Sequence, residues 1–165
     1  MKALTRIGIS LLAIAMLVAL CPLSCFAAEK DQPQMLLVSQ TEEFLPDGTR
    51  VVISVWEKPV IARGAIFSKA GSKTYTGYNE QGQTTFTFTV SGTFTVNTGV
   101  SASCINATWS HSIYHLNWSL DNASASPYSN KVIGNATFVD SPQPGSVNTA
   151  PITVILTCNE YGELS

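Results

Sequence analysis

The chain has few charged side chains, two histidines and none of the short motifs that mark common catalytic or cofactor sites. Charged residues make up 12% of its 165 positions, too sparse for the basic stripe that nucleic acid requires. It has no Gly-x-Ser-x-Gly elbow, no His-Glu-x-x-His, no phosphate loop and no dinucleotide fingerprint. His111 and His115 lie four positions apart, which on a strand separates them by about 13 Å, too far to share one ion. Glu42-Glu43 and Glu160/Glu163 carry no spacing that brings two carboxylates together for acid/base work. No catalytic residue, metal ligand or cofactor is therefore expected, and the protein reads as non-enzymatic.

Long hydrophobic runs are also scarce. One, Ile7 to Leu20, follows Lys2 and Arg6 and is broken by Pro22, which is the layout of a secretory signal peptide. Cys25-Phe26-Ala27 places small residues where a signal peptidase reads, so cleavage is expected after Ala27. Residues 7 to 28 are also just long enough for an uncleaved anchor, and Leu23-Ser24-Cys25 faintly matches a lipoprotein site. With residues 1–27 as the signal peptide, 138 residues remain, enough for one domain with a real core. They carry seven basic and eleven acidic side chains, and no membrane attachment is expected after cleavage. The expected location is secreted, extracellular.

Cys21 and Cys25 leave with that segment, so the mature chain keeps Cys104 and Cys158. In an exported protein the default is that two such cysteines pair. A disulfide closing a loop of this length would remove denatured-state entropy equivalent to roughly 4 kcal/mol.

What the chain has in abundance is alternation. From Thr85 to Val96 the apolar residues Phe86, Phe88, Val90, Phe94 and Val96 occupy even positions while Thr and Ser occupy odd ones. Only a β-strand has that period, and one buried face is implied. Gly92 keeps the parity without a side chain, pointing to a bend or a close approach of backbone. Ser72 to Tyr78 reads as the partner strand across Asn79-Glu80-Gln81-Gly82, giving a β-hairpin over residues 72–96.

Residues 28–48 read as an N-terminal extension ending in the turn Pro46-Asp47-Gly48, with Met35 to Phe44 ambiguous between helix and edge strand. Residues 49–165 read as the folded domain. Its further strands are Thr49 to Glu57, a short one near Arg63 to Ser68, one carrying Cys104, Tyr114 to Leu120, Val132 to Val139, and a last one with Ile152, Val154, Leu156 and Cys158 on one face. Loops are expected over 121–130 and 141–148. About seven short strands with turn chemistry between them predict an all-β, antiparallel β-sandwich, immunoglobulin-like or related, with a small β-barrel as the alternative.

The stretch Ala70-Gly71-Ser72-Lys73-Thr74-Tyr75-Thr76-Gly77-Tyr78-Asn79, the strand through Ser91-Gly92-Thr93-Phe94-Thr95, Cys104, and the ending Leu156-Thr157-Cys158 to Gly162-Glu163-Leu164-Ser165 resemble a group of small exported proteins of unknown function from clostridial-type Gram-positive bacteria. The resemblance covers the central third and the last ten residues. It implies a secreted domain in which the two cysteines recur together, and implies no activity.

Two surface features remain as candidate sites. Tyr75 and Tyr78 are a possible binding surface for a cell-surface protein or a carbohydrate. The Thr face of the 85–96 strand could order water or meet sugar rings if it were regular across neighbouring strands, but Thr74, Thr76, Thr153 and Thr157 are the positions expected to extend it. A solvated sheet face is the expectation there. The rival to a binding module is a small secreted hydrolase with its site in the loops of residues 121–149.

Overall fold

The structure, a computed structural model, describes residues 34–45, 48–60 and 64–165. The expected signal segment 1–27, the start of the extension and Pro46-Asp47 lie outside the described residues. Among the described residues eight antiparallel strands form: β1 (Leu36–Phe44), β2 (Arg50–Glu57), β3 (Ile66–Tyr78), β4 (Thr84–Asn97), β5 (Ser101–Ile113), β6 (Trp118–Tyr128), β7 (Lys131–Gln143) and β8 (Ser146–Thr157). β1 to β5 make one sheet and β6 to β8 a second, each in sequential order. The antiparallel β-sandwich read from the sequence is the architecture of the described residues. Its meander order differs from the Greek-key connections of immunoglobulin domains.

The alternating run behaves as its pattern requires from Phe86 on, whereas Thr85, read on the open face, is buried where the register shifts opposite Tyr78. Phe86, Phe88, Val90, Phe94 and Val96 are fully buried, facing Val132, Phe138, Val154 and Leu156 of the smaller sheet. Phe86 stacks on Phe138 with ring centroids 4.2 Å apart and meets Trp118 at 4.9 Å. β4 runs through Gly92 unbroken, so that glycine serves close approach rather than a bend: a Cβ there would stand 2.5 Å from Val132 Cγ2.

The ambiguous stretch Met35 to Phe44 resolves as an edge strand, β1, from Leu36 on. Four boundaries differ from the sequence reading: β3 is one strand where two were expected around Gly71, and the loop expected over 141–148 shrinks to Pro144-Gly145 between β7 and β8. Tyr114 and Leu116, expected on a buried face, lie in the β5–β6 connection with exposures of 62% and 101%. The polar stretch 121–130 is mostly strand β6, because burial of Leu120, Ala123 and Ala125 against the core needs only small side chains on one face.

The expected disulfide is not formed in this structure. Cys104 Sγ donates to the Asn106 carbonyl at 3.2 Å, and Cys158 Sγ lies 3.6 Å from the Asn159 carbonyl. The two thiols are nonetheless neighbours in the fold. Cys104 pairs with the inward-facing Phe94, Cys158 is fully buried, and their backbone N–H groups donate to the consecutive carbonyls of Ser129 and Asn130 at the β6–β7 turn. Burial pushes the Cys158 thiol up to about 11, with the Lys69 ammonium opposing and Cys104 adding to the shift. Burial also raises Cys104. Both sulfurs thus stay protonated and weakly nucleophilic at neutral pH.

Beyond β8 the chain turns at Asn159, whose side-chain oxygen accepts from the N–H groups of Tyr161 and Glu163 at 3.0 and 2.9 Å. That reversal pairs Leu164 with Cys158 and buries Leu164 over Gly71.

Candidate functional site

The side of the five-stranded sheet that faces away from the core is built by strand register. Thr87, Thr89, Ser91, Thr93 and Thr95 of β4 point outward because the even positions point in. On β3 they stand beside Thr76, Thr74, Ser72, Ala70 and Ser68; on β5 beside Ser112, Ser110, Thr108, Asn106 and Ser103. A bulge at Ile105 keeps the β5 hydroxyls in step by absorbing one residue. Thirteen of these fifteen positions are Ser or Thr and none is charged, so the grid recognises no ionic ligand by charge pairing.

The grid has a repeat of roughly 6.8 Å along each strand and roughly 4.8 Å between strands. Its hydroxyls are close enough to bond one another, as Thr74 Oγ1 and Thr89 Oγ1 do at 2.9 Å. Because the side chains are short, an open trough of about 200 Å³ crosses the strands at Ser72, Ser91 and Thr108, with Thr93 and Asn106 beside it and Lys58 at its margin. Trp56 of β2 pairs with Ser72 and borders this row. The arrangement offers many neutral donors and acceptors on a broad surface, edged by one aromatic ring.

The two tyrosines singled out from the sequence do not form one surface. Tyr75 pairs with Ile53 and Phe88, so it sits on the core side of the sheet, half-buried against the core. Burial raises its phenol, and the Glu43 carboxylate adds to that shift. The same environment lowers Lys73 by desolvation, with Glu43 opposing. Tyr78 lies at the end of β3, where Arg50 stacks over its ring with Cζ 4.7 Å from the centroid.

Tyr78 belongs instead to a cleft at that end of the sandwich, lined also by Phe44, Arg50, Glu80, Thr85, Trp118 and Asp140, with a volume of about 590 Å³. Arg50 Nε is 3.0 Å from Glu42 Oε1, an ion-pair contact whose N–H is not aligned for a hydrogen bond. Thr85, extruded by the bulge opposite Tyr78, is 2% exposed and its hydroxyl has no hydrogen-bond partner.

His111 lies on β5 and His115 in the following loop, and among the described residues no cluster of metal-ligating side chains occurs. The segment 121–149, the proposed seat of a hydrolase site, forms β6, β7 and the start of β8 rather than open loops.

No known protein family, curated protein or solved structure matches the chain.

Proposed function

We propose that this protein is an exported, non-enzymatic interaction module of the extracellular space or cell envelope, and that its outward hydroxyl face binds a neutral carbohydrate. The observation that carries this reading is the uncharged grid across β3, β4 and β5, with the trough at Ser72, Ser91 and Thr108. Sugar hydroxyls exchange hydrogen bonds with Ser, Thr and Asn side chains without charge, and Trp56 supplies an apolar face of the kind sugar rings stack on. The trough is large enough for one sugar ring of a chain lying across the strands.

Within the same reading, Cys104 and Cys158 close into a disulfide on export, giving up two protons and two electrons to a disulfide-exchanging oxidant. Their shared position supports this, because both backbone N–H groups bond consecutive carbonyls of the β6–β7 turn. Intact mass of the secreted protein is expected to show loss of residues 1–27 and of two hydrogens.

Affinity electrophoresis through gels containing neutral polysaccharides tests the binding surface. Wild-type protein is expected to be retarded, whereas Ser91→Arg and Thr108→Arg, which plug the trough, migrate freely while melting within a few degrees of wild type. Equal retardation of wild type and both variants, or retardation only by a protein extract, would overturn the carbohydrate reading.

A further inference from the structure

The end cleft has a chemistry different from that of the hydroxyl face, and we infer that it binds an organic ammonium ion. Its charged residues do not cancel. Arg50 is engaged by Glu42 at 3.0 Å and by the Tyr78 ring, whereas Glu80 and Asp140 have no ion-pair partner among the described residues. The cleft therefore presents two uncompensated carboxylates. Its apolar lining is aromatic, from Phe44, Tyr78 and Trp118. Carboxylates beside ring faces attract a cation twice, by charge and by the ring quadrupole.

Thr85 also lines the cleft, 2% exposed and with its hydroxyl oxygen sealed from solvent and unpartnered, so this wall is closed and the charge of the cleft comes from its carboxylates. Trp118 and Asp140 are directly paired across β6 and β7, so a ring and a carboxylate are held at fixed spacing by the ladder rather than by a loop. A volume of about 590 Å³ lies within the usual range for small-ligand pockets, roughly 300–1,000 Å³. An anionic ligand would face Glu80 and Asp140, and a plain apolar one would leave both carboxylates without partners.

The test uses the full secreted chain and three probes: choline, its neutral isostere 3,3-dimethylbutan-1-ol, and acetate. Binding is read by isothermal titration and by the indole N–H resonance of Trp118. Choline is expected to bind and to shift that resonance, with affinity falling as salt rises; the isostere is expected to bind at least about tenfold more weakly. Asp140→Asn and Glu80→Gln, both close isosteres checked for folding by circular dichroism, are each expected to weaken choline several-fold. Ser91→Arg should leave choline binding unchanged, so the outcome is separable from that for the hydroxyl face. Equal binding of choline and the neutral alcohol, preference for acetate, or no binding of choline would each overturn the inference.

Discussion

Replacing Leu164 by Ala should destabilise the domain by about 3 kcal/mol, although Leu164 lies outside all eight strands. The side chain is 4% exposed, and the Ser165 N–H and carbonyl exchange hydrogen bonds with Thr157 at 3.0 and 2.9 Å, which fixes Leu164 over Gly71. Truncation removes three carbon groups, worth about 2.4 kcal/mol at about 0.8 kcal/mol each. A residual cavity adds to this, and measured Leu→Ala costs run from about 2 to 5 kcal/mol. The adjoining turn can partly collapse, which favours the lower half of that range. For a domain of this size a loss of about 3 kcal/mol lowers Tm by about 9–15 °C. Urea melts should show a lower midpoint with an unchanged slope. A second variant tests the contact itself. A Cβ at Gly71 would overlap Leu164 Cδ1 and stand 2.7 Å from the Trp56 carbonyl, so Gly71→Ala is destabilising alone. In the Leu164→Ala background the side-chain half of the clash is gone while the carbonyl half remains, so the double variant should be less destabilised than the sum by about 1 kcal/mol. A fall in Tm below about 2 °C for Leu164→Ala, or strict additivity with Gly71→Ala, would refute the reasoning.

Three further outcomes follow from the structure. Gly134→Ala should cost at least about 1–3 kcal/mol in chemical denaturation, because its Cβ would overlap Val90 Cγ1 and meet the Phe88 ring at 3.3 Å; a neutral effect would mean that the sheets are not in close contact there. Thr85→Val should raise stability by about 1 kcal/mol by removing an unpaired buried hydroxyl, and a loss of stability would reveal a hydrogen bond at that oxygen. For the reduced protein, stability associated with the neutral Cys158 thiol is fully present below pH 9 and lost as pH rises through about 11, since the unfolded thiol ionises first. The two-unit shift corresponds to at most roughly 2–3 kcal/mol. Tyr75, also raised, loses stability in the same alkaline range, and Lys73, lowered, opposes both, so comparison with Cys158→Ala isolates the thiol; identical alkaline profiles would refute its role.

Period-2 alternation made the architecture and much of the core legible. The fully buried Phe86, Phe88, Phe94, Val154 and Leu156 all stand at alternating positions in the sequence. The β6 stretch was illegible because its inward residues, Leu120, Ala123 and Ala125, are mostly small and shifted in phase by a bulge between Leu120 and Asn122. Tyr114 and Leu116 continued an alternation that the chain does not use, since β5 ends at Ile113. The turns carried a signal that could have been read: Asn79-Glu80-Gln81-Gly82-Gln83 and Asn159-Glu160-Tyr161-Gly162-Glu163 share one pattern. In both, the Asn side chain bonds the fifth residue and Gly adopts positive φ, 74° and 83°.

The hydroxyl grid was half visible. Its β4 row is plain in the sequence, and Ser103, Thr108, Ser110 and Ser112 supply a β5 row once the bulge at Ile105 is known. Thr153 and Thr157, expected to extend it, belong to β8 of the other sheet, where Thr153 Oγ1 donates to Asn135. The end cleft was invisible, because Phe44, Tyr78, Trp118 and Asp140 come from four strands and meet only through their registers.

The sequential order of strands also governs how quickly the fold can be found. Every hydrogen-bonded strand pair joins chain neighbours, so each ladder closes only a short loop and loses little chain entropy in doing so. A Greek-key sandwich of equal size must bring distant segments together before pairing them, and high contact order slows folding. Here the hairpins β3–β4 and β7–β8 can zip independently, leaving one long-range event: the three-stranded sheet folding over the five-stranded one about the Tyr114–Asn117 connection. Refolding kinetics should therefore be set by closure of the aromatic layer around Phe86, Phe138 and Trp118 rather than by strand registration.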